Sequence, residues 1–158
     1  MRKLLSGGLV VFAGVVSAPK AVSVAQTVAT TLADYREDPR LASLQKFFRR
    51  QGDCPAGALS HVFLQAADGY DLDWRLLPSI SFVESTGGKR ARNNNLFGWD
   101  SGRAAFPSMT ASIHAVGYQL ANSRLYRAKG LDAILATYNP KVEYAQKVKS
   151  VMRQIAPN

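Results

Sequence analysis

Only three glutamates occur in this 158-residue chain, and one of them, Glu84, sits where a carboxyl would hold its proton. It follows Phe82 and Val83 at the end of an apolar segment with helical spacing. A helix C-terminus disfavours negative charge and apolar neighbours penalise the ionised form, so both push the carboxyl toward neutrality. An acid that stays protonated near neutral pH can donate to a leaving oxygen, as glycoside cleavage requires. Local sequence alone equally allows Glu84 to be an ordinary exposed residue near a helix end. Glu37 lies in the polar run 34–40 and reads as solvated surface, whereas Glu143 opens a helix, where negative charge is favoured. A two-carboxylate mechanism needs a second acid about 5 to 9.5 Å from the first. The stretch after Glu84 offers Asp100, which is either that partner or the first residue of a turn. Trp99 beside it is either a platform for a sugar face or a packed core residue.

Other chemistries find less. His61 and His114 have no metal-ligand spacing to any partner, so neither a metal nor another cofactor is expected. Ser85 has no histidine near it in sequence to activate it. Cys54 is the single cysteine, which rules out an internal disulfide and reads as a small buried apolar residue.

The elements that must position these residues are mostly helices. Asp38-Pro39 supplies an N-cap and a first-turn proline, and Leu41, Leu44, Phe47 and Phe48 follow at helical spacing until Gln51-Gly52-Asp53. A second helix is predicted over 56–67, ending at Gly69. Asp73 can cap a third, with Trp74, Leu77, Ile80 and Val83 on one side; Pro78 is expected to bend it and Gly87-Gly88 to end it. From 90 to 106 the pattern changes to short strand formers, 96–99 and 103–106, around an Asp100-Ser101-Gly102 turn, which predicts a small β-hairpin. Three further helices are predicted over 108–121, 131–137 and 142–155. The fold class expected is α+β, predominantly helical, with one domain over 39–158.

Residues 1–25 read as a secretory signal peptide: Arg2 and Lys3, an apolar run to Val16, then small residues up to Ala25. A leader over 26–38 would follow, and the chain is expected outside the cytoplasm as a monomer with no integral membrane span once cleaved. The run is short for a spanning helix, although an uncleaved anchor is the alternative. The formal charge is +9, three fewer without Arg2, Lys3 and Lys20, which suits an anionic partner. Basic residues are dispersed, with Arg49-Arg50 and Lys89-Arg90 plus Arg92 the nearest to clusters, and no aromatics interleave with them. Nucleic acid is therefore not the expected partner.

The stretch Ile80-Ser81-Phe82-Val83-Glu84-Ser85-Thr86-Gly87-Gly88-Lys89, then Asn94-Asn95-Leu96-Phe97-Gly98-Trp99, resembles the signature of bacterial glucosaminidase domains. Tyr138-Asn139-Pro140 followed by Tyr144-Ala145-Gln146-Lys147-Val148 resembles that family's closing tyrosine motif and is similar to the tyrosine-asparagine element of lytic transglycosylases. The resemblance covers residues 73–155 and implies a lysozyme-like fold. Position by position it implies Glu84 as the catalytic acid and Asn95, Phe97 and Gly98 as the strand flooring the cleft. It also implies Tyr138 as the tyrosine opposite the acid. Trp99, an aromatic face suited to a sugar ring, and Tyr144 are expected to bind substrate with them. The activity implied is an endo-beta-N-acetylglucosaminidase-like cut in peptidoglycan or a related N-acetylated glycan. A lytic transglycosylase of the same fold and a non-catalytic glycan-binding domain are the alternatives.

Overall fold

The computed structural model describes residues 35–157, and the expected signal peptide and most of the leader lie outside the described residues. Among the described residues seven helices follow one another: α1 Pro39–Arg50, α2 Pro55–Ala58, α3 Ser60–Tyr70, α4 Leu76–Ser85, α5 Met109–Asn122, α6 Leu131–Tyr138 and α7 Val142–Ile155. The domain is predominantly helical, and among the described residues no helix is long and apolar enough to cross a membrane.

Each amphipathic helix turns its apolar stripe into one contiguous core. Leu44, Phe47 and Phe48 of α1 meet Phe63 and Leu64 of α3, Leu77 and Ile80 of α4, Ile113 and Leu120 of α5, and Val148 of α7. Burying a side chain of this size contributes roughly 1.5–3 kcal/mol. The most extensive pairings set α3 against α5 and α4 against α7, so the Glu84 helix is held from the C-terminal side of the chain. Cys54 is buried and free, and burial pushes its thiol up.

Several boundaries depart from the sequence-based expectation for identifiable reasons. Pro78 does not bend α4: the helix begins at Leu76, so the proline lies in the first turn, where a helix leaves its N–H groups unpaired anyway. Asp73 stands two residues ahead of the N-cap position, Arg75, and its side chain accepts from the Arg75 backbone N–H at 2.9 Å. The expected helix over 56–67 is two pieces parted at Leu59, and the second runs through Gly69 to a left-handed Asp71.

The expected β-hairpin is likewise not a ladder. Among the described residues no ladder joins 96–99 to 103–106, and the isolated bridge between Arg92 and Asn95 lies ahead of both. Asn93, Asn94, Gly98, Asp100, Ser101 and Gly102 all have φ between 52° and 80°, which turns the chain too often for extended strands. What holds this loop is the Asn95 side chain. Its Nδ2 donates to the Trp99 and Ala104 carbonyls at 3.0 and 3.1 Å, and its Oδ1 accepts from Trp99 and Phe97 N–H at 3.0 and 3.3 Å.

Candidate active site

The end of α4 and the loop after it form one unit. Thr86 takes the left-handed conformation that closes the helix, with its N–H on the Phe82 carbonyl and that of Gly87 on Ser81. Ser85 then ties the helix to the loop: its hydroxyl reaches the Leu96 carbonyl at 2.8 Å and accepts from Gly88 N–H at 3.0 Å. With a histidine absent from these contacts, Ser85 serves as a fastening between the two segments. Glu84, one residue earlier, is thereby fixed over Gly98.

Glu84 is half-buried, and that burial raises its carboxyl above the ordinary 4.5. Tyr144 moderates the rise. Its hydroxyl is buried and meets no partner at full hydrogen-bonding geometry, but it lies close enough to the Glu84 carboxyl to favour the ionised form slightly. A Cβ placed on Gly98 would lie 2.7 Å from Glu84 Oε2 and 3.5 Å from its Cδ, so the carboxyl is packed flat against bare backbone.

Three tyrosines close the other side. Tyr138 donates its hydroxyl to the Phe97 carbonyl at 2.5 Å, across forty-one positions of sequence. Its ring lies parallel to that of Tyr144, 5.8 Å between centroids and 6° between planes. Burial, then the neighbouring Glu84 and Tyr126, keep Tyr138 well above the usual phenol range. Burial, then Tyr138 and Glu84, do the same for Tyr144. Both are neutral phenols at ordinary pH. Trp99 packs 5.8 Å from Tyr138 and 6.2 Å from Tyr126 and stays partly exposed.

Two recesses meet at Gly98. One, of about 380 Å³, is lined by Trp99, Asp100, Ser101, Tyr126 and Tyr138 as well as Gly98. A smaller one, of about 120 Å³, takes in Glu84, Arg90, Arg92 and Gly102. A larger recess, about 520 Å³, lies apart from Glu84 between α3, α5 and α6, and meets the aromatic one at Tyr126.

The residues singled out in the sequence do not all share one environment. Glu84, Gly98, Trp99, Tyr138 and Tyr144 come together. Phe97 is fully buried, and its backbone carbonyl, not its ring, serves the site. Asn95 is only 4% exposed and all four of its hydrogen-bonding positions are used within the loop, so it shapes the floor from beneath. Asp100 borders the aromatic recess, but its carboxylate is exposed and paired with Arg103 at 2.8 Å. His61 is buried in α3 and His114 packs on Tyr70; among the described residues no cluster of metal-ligating side chains occurs. Tyr126 escaped sequence reasoning because it lies in an irregular stretch after α5, where no periodicity marks an inward face.

Compared with protein families, with characterised proteins and with solved structures, the chain matches none.

Proposed function

We propose that this chain is an exported peptidoglycan glycosidase with a lysozyme-like fold, in which Glu84 protonates the bridging oxygen beside an N-acetylated sugar. The observation that carries the reading is the setting of Glu84: a carboxyl raised by burial, laid against Gly98, near two neutral tyrosines and in a small recess that adjoins an aromatic-walled groove at Gly98. Desolvation of a carboxyl inside a cleft is how a fold keeps an acid protonated for this chemistry. The motif resemblance along 73–155 points the same way.

Proton transfer from Glu84 to the glycosidic oxygen releases one sugar as an alcohol and leaves positive charge at the anomeric carbon of the other. Asp100 is engaged by Arg103, so the cation is met by the substrate's own N-acetyl carbonyl, which bonds to the anomeric carbon. The Glu84 carboxylate, now ionised, takes a proton from the incoming nucleophile and is restored. If that nucleophile is water the product is a reducing sugar; if it is a hydroxyl of the same sugar, an anhydro sugar results. Tyr138 donates its hydroxyl hydrogen bond to the Phe97 carbonyl, so its oxygen keeps lone pairs that can accept one from a substrate hydroxyl. Trp99 offers an apolar face to the ring of a bound sugar.

Mass analysis of fragments released from purified peptidoglycan tests the reading. Reducing glucosamine ends indicate a glucosaminidase, reducing muramic ends a muramidase and anhydro-muramic ends a transglycosylase. Release of no fragments at all would overturn the catalytic reading and leave a glycan-binding domain.

A further inference from the structure

The small recess that holds Glu84 has a second chemistry in it. Arg90 and Arg92 line the same wall, alternating about Ala91, and both are exposed. Their backbone is pinned: Arg90 N–H bonds to the Ser85 carbonyl at 2.9 Å, and the Arg92 carbonyl accepts from Asn95 N–H at 2.9 Å. The two guanidinium groups are therefore carried on the same rigid unit as the acid.

What sets them apart is that they line the Glu84 recess and have no anion of their own. Arg40 is paired with Asp38 and Asp68, Arg75 with Asp73, and Arg103 with Asp100. Neither Arg90 nor Arg92 makes an ion pair or a side-chain hydrogen bond among the described residues. Nor do they act on Glu84, whose carboxyl answers to burial and to Tyr144 alone. A guanidinium touching that carboxylate would hold it ionised and disable it as an acid. The pair thus stands in the recess without neutralising the group beside it.

We propose that Arg90 and Arg92 form a carboxylate-recognising subsite next to Glu84, so that the groove selects an N-acetylated glycan bearing an acidic substituent over a neutral one. This rests on the glycan-cleaving reading of the groove. Guanidinium groups bind carboxylates with paired, charge-assisted hydrogen bonds, and two of them on one wall can take one such group from either side. The aromatic recess, joined to this one at Gly98, takes the apolar face of the adjoining sugar. In a cell-wall glycan the carboxylate can be the lactyl group on the sugar or belong to the peptide attached to it.

Calorimetric binding to three soluble ligands tests this: a neutral N-acetylglucosamine oligomer, a disaccharide with a free lactyl carboxylate, and the same disaccharide carrying its peptide. The unaltered protein is expected to bind at least one acidic ligand about tenfold more tightly than the neutral one at low salt, with the preference shrinking as salt is added. Arg90→Gln/Arg92→Gln should bring that ratio close to one. Arg49→Gln/Arg50→Gln, which removes the same charge from the end of α1, should keep it. A preference for only one acidic ligand supports the subsite and names the carboxylate it reads. Equal binding of neutral and acidic ligands by the unaltered protein, or a ratio untouched by the Arg90/Arg92 change, overturns it. Because binding is the readout, failure here is separate from failure to release fragments.

Discussion

Glu84 and Gly98 form a matched pair in which the acid occupies the space a side chain would need. The would-be Cβ of Gly98 falls 2.7 Å from Glu84 Oε2, and Gly98 itself has φ +58°. Gly98→Ala must therefore swing the carboxyl away from its place, which a flexible side chain does at little steric cost. The left-handed backbone adds about 1 kcal/mol for a residue with a Cβ. The expected outcome is a small drop in thermal midpoint with a loss of glycan cleavage of at least tenfold, since misplacing a catalytic group by an ångström is costly. Calorimetry and fragment release on the same preparation check it, and unchanged cleavage would mean the carboxyl's exact seat is unimportant.

Glu84→Gln keeps the shape of the side chain and removes its transferable proton. Cleavage should fall by 10²–10⁴, the usual worth of a positioned acid. In the unaltered protein cleavage should decline as pH rises through the raised value of Glu84, because the proton donor is then gone. The same shift fixes the sign for stability. A carboxyl whose folded value is raised above the ordinary 4.5 favours the fold fully below that ordinary value, and the contribution is lost as pH rises through the raised one. Relative to the unaltered protein, Glu84→Gln should thus gain stability toward neutral pH and gain little in acid, as read by denaturant unfolding across pH. Asp100→Asn is the control, and it is expected to leave cleavage nearly intact.

Asn95→Ala should act on the fold and not on binding. It leaves the Phe97 and Trp99 N–H groups and the Ala104 carbonyl without this partner, while the Trp99 carbonyl keeps the N–H groups of Gly102 and Ala104; each lost bond is worth about 1 kcal/mol net and more where the group stays buried. A loss of about 2–4 kcal/mol in chemical denaturation is expected. A variant that unfolds like the original yet binds glycan poorly would show that Asn95 touches substrate after all.

Trp99→Ala should weaken glycan binding several-fold while the domain stays folded, because the indole borders the groove and remains partly exposed. Lost edge contacts with Tyr126 and Tyr138 lower stability by about 0.5–1.5 kcal/mol apiece. A collapsed thermal midpoint would mark Trp99 as a core residue.

Helices with a side-chain cap and an apolar stripe were legible in the sequence to within a residue. Ser108 caps α5 through Ala111 N–H, and Tyr144, Val148 and Val151 mark the buried face of α7. Glu84 was legible only in part: apolar neighbours at a helix end allow a desolvated carboxyl and an exposed one equally, and the burial that decides between them comes from the loop folded against it. The loop was not. Residues 96–99 carry strand formers, but the side chain of Asn95 takes over the hydrogen bonds that a partner strand would have made, and no propensity scale records that. Nor could spacing show that Ser85 fastens the helix to Leu96, or that the Tyr144 hydroxyl waits without a full partner beside the acid.

The bond from Tyr138 to the Phe97 carbonyl also sets an order of assembly. Ser85 and Leu96 are eleven positions apart and Asn95 reaches only nine, so the acid and its loop close through short, entropically cheap contacts. The tyrosine wall spans forty-one positions and needs α6 and α7 docked on what came before. A chain still emerging from synthesis would therefore carry Glu84 early but not the enclosure whose burial raises its carboxyl. On the reading proposed above, acid catalysis would wait for the last two helices to dock, however early Glu84 itself is made.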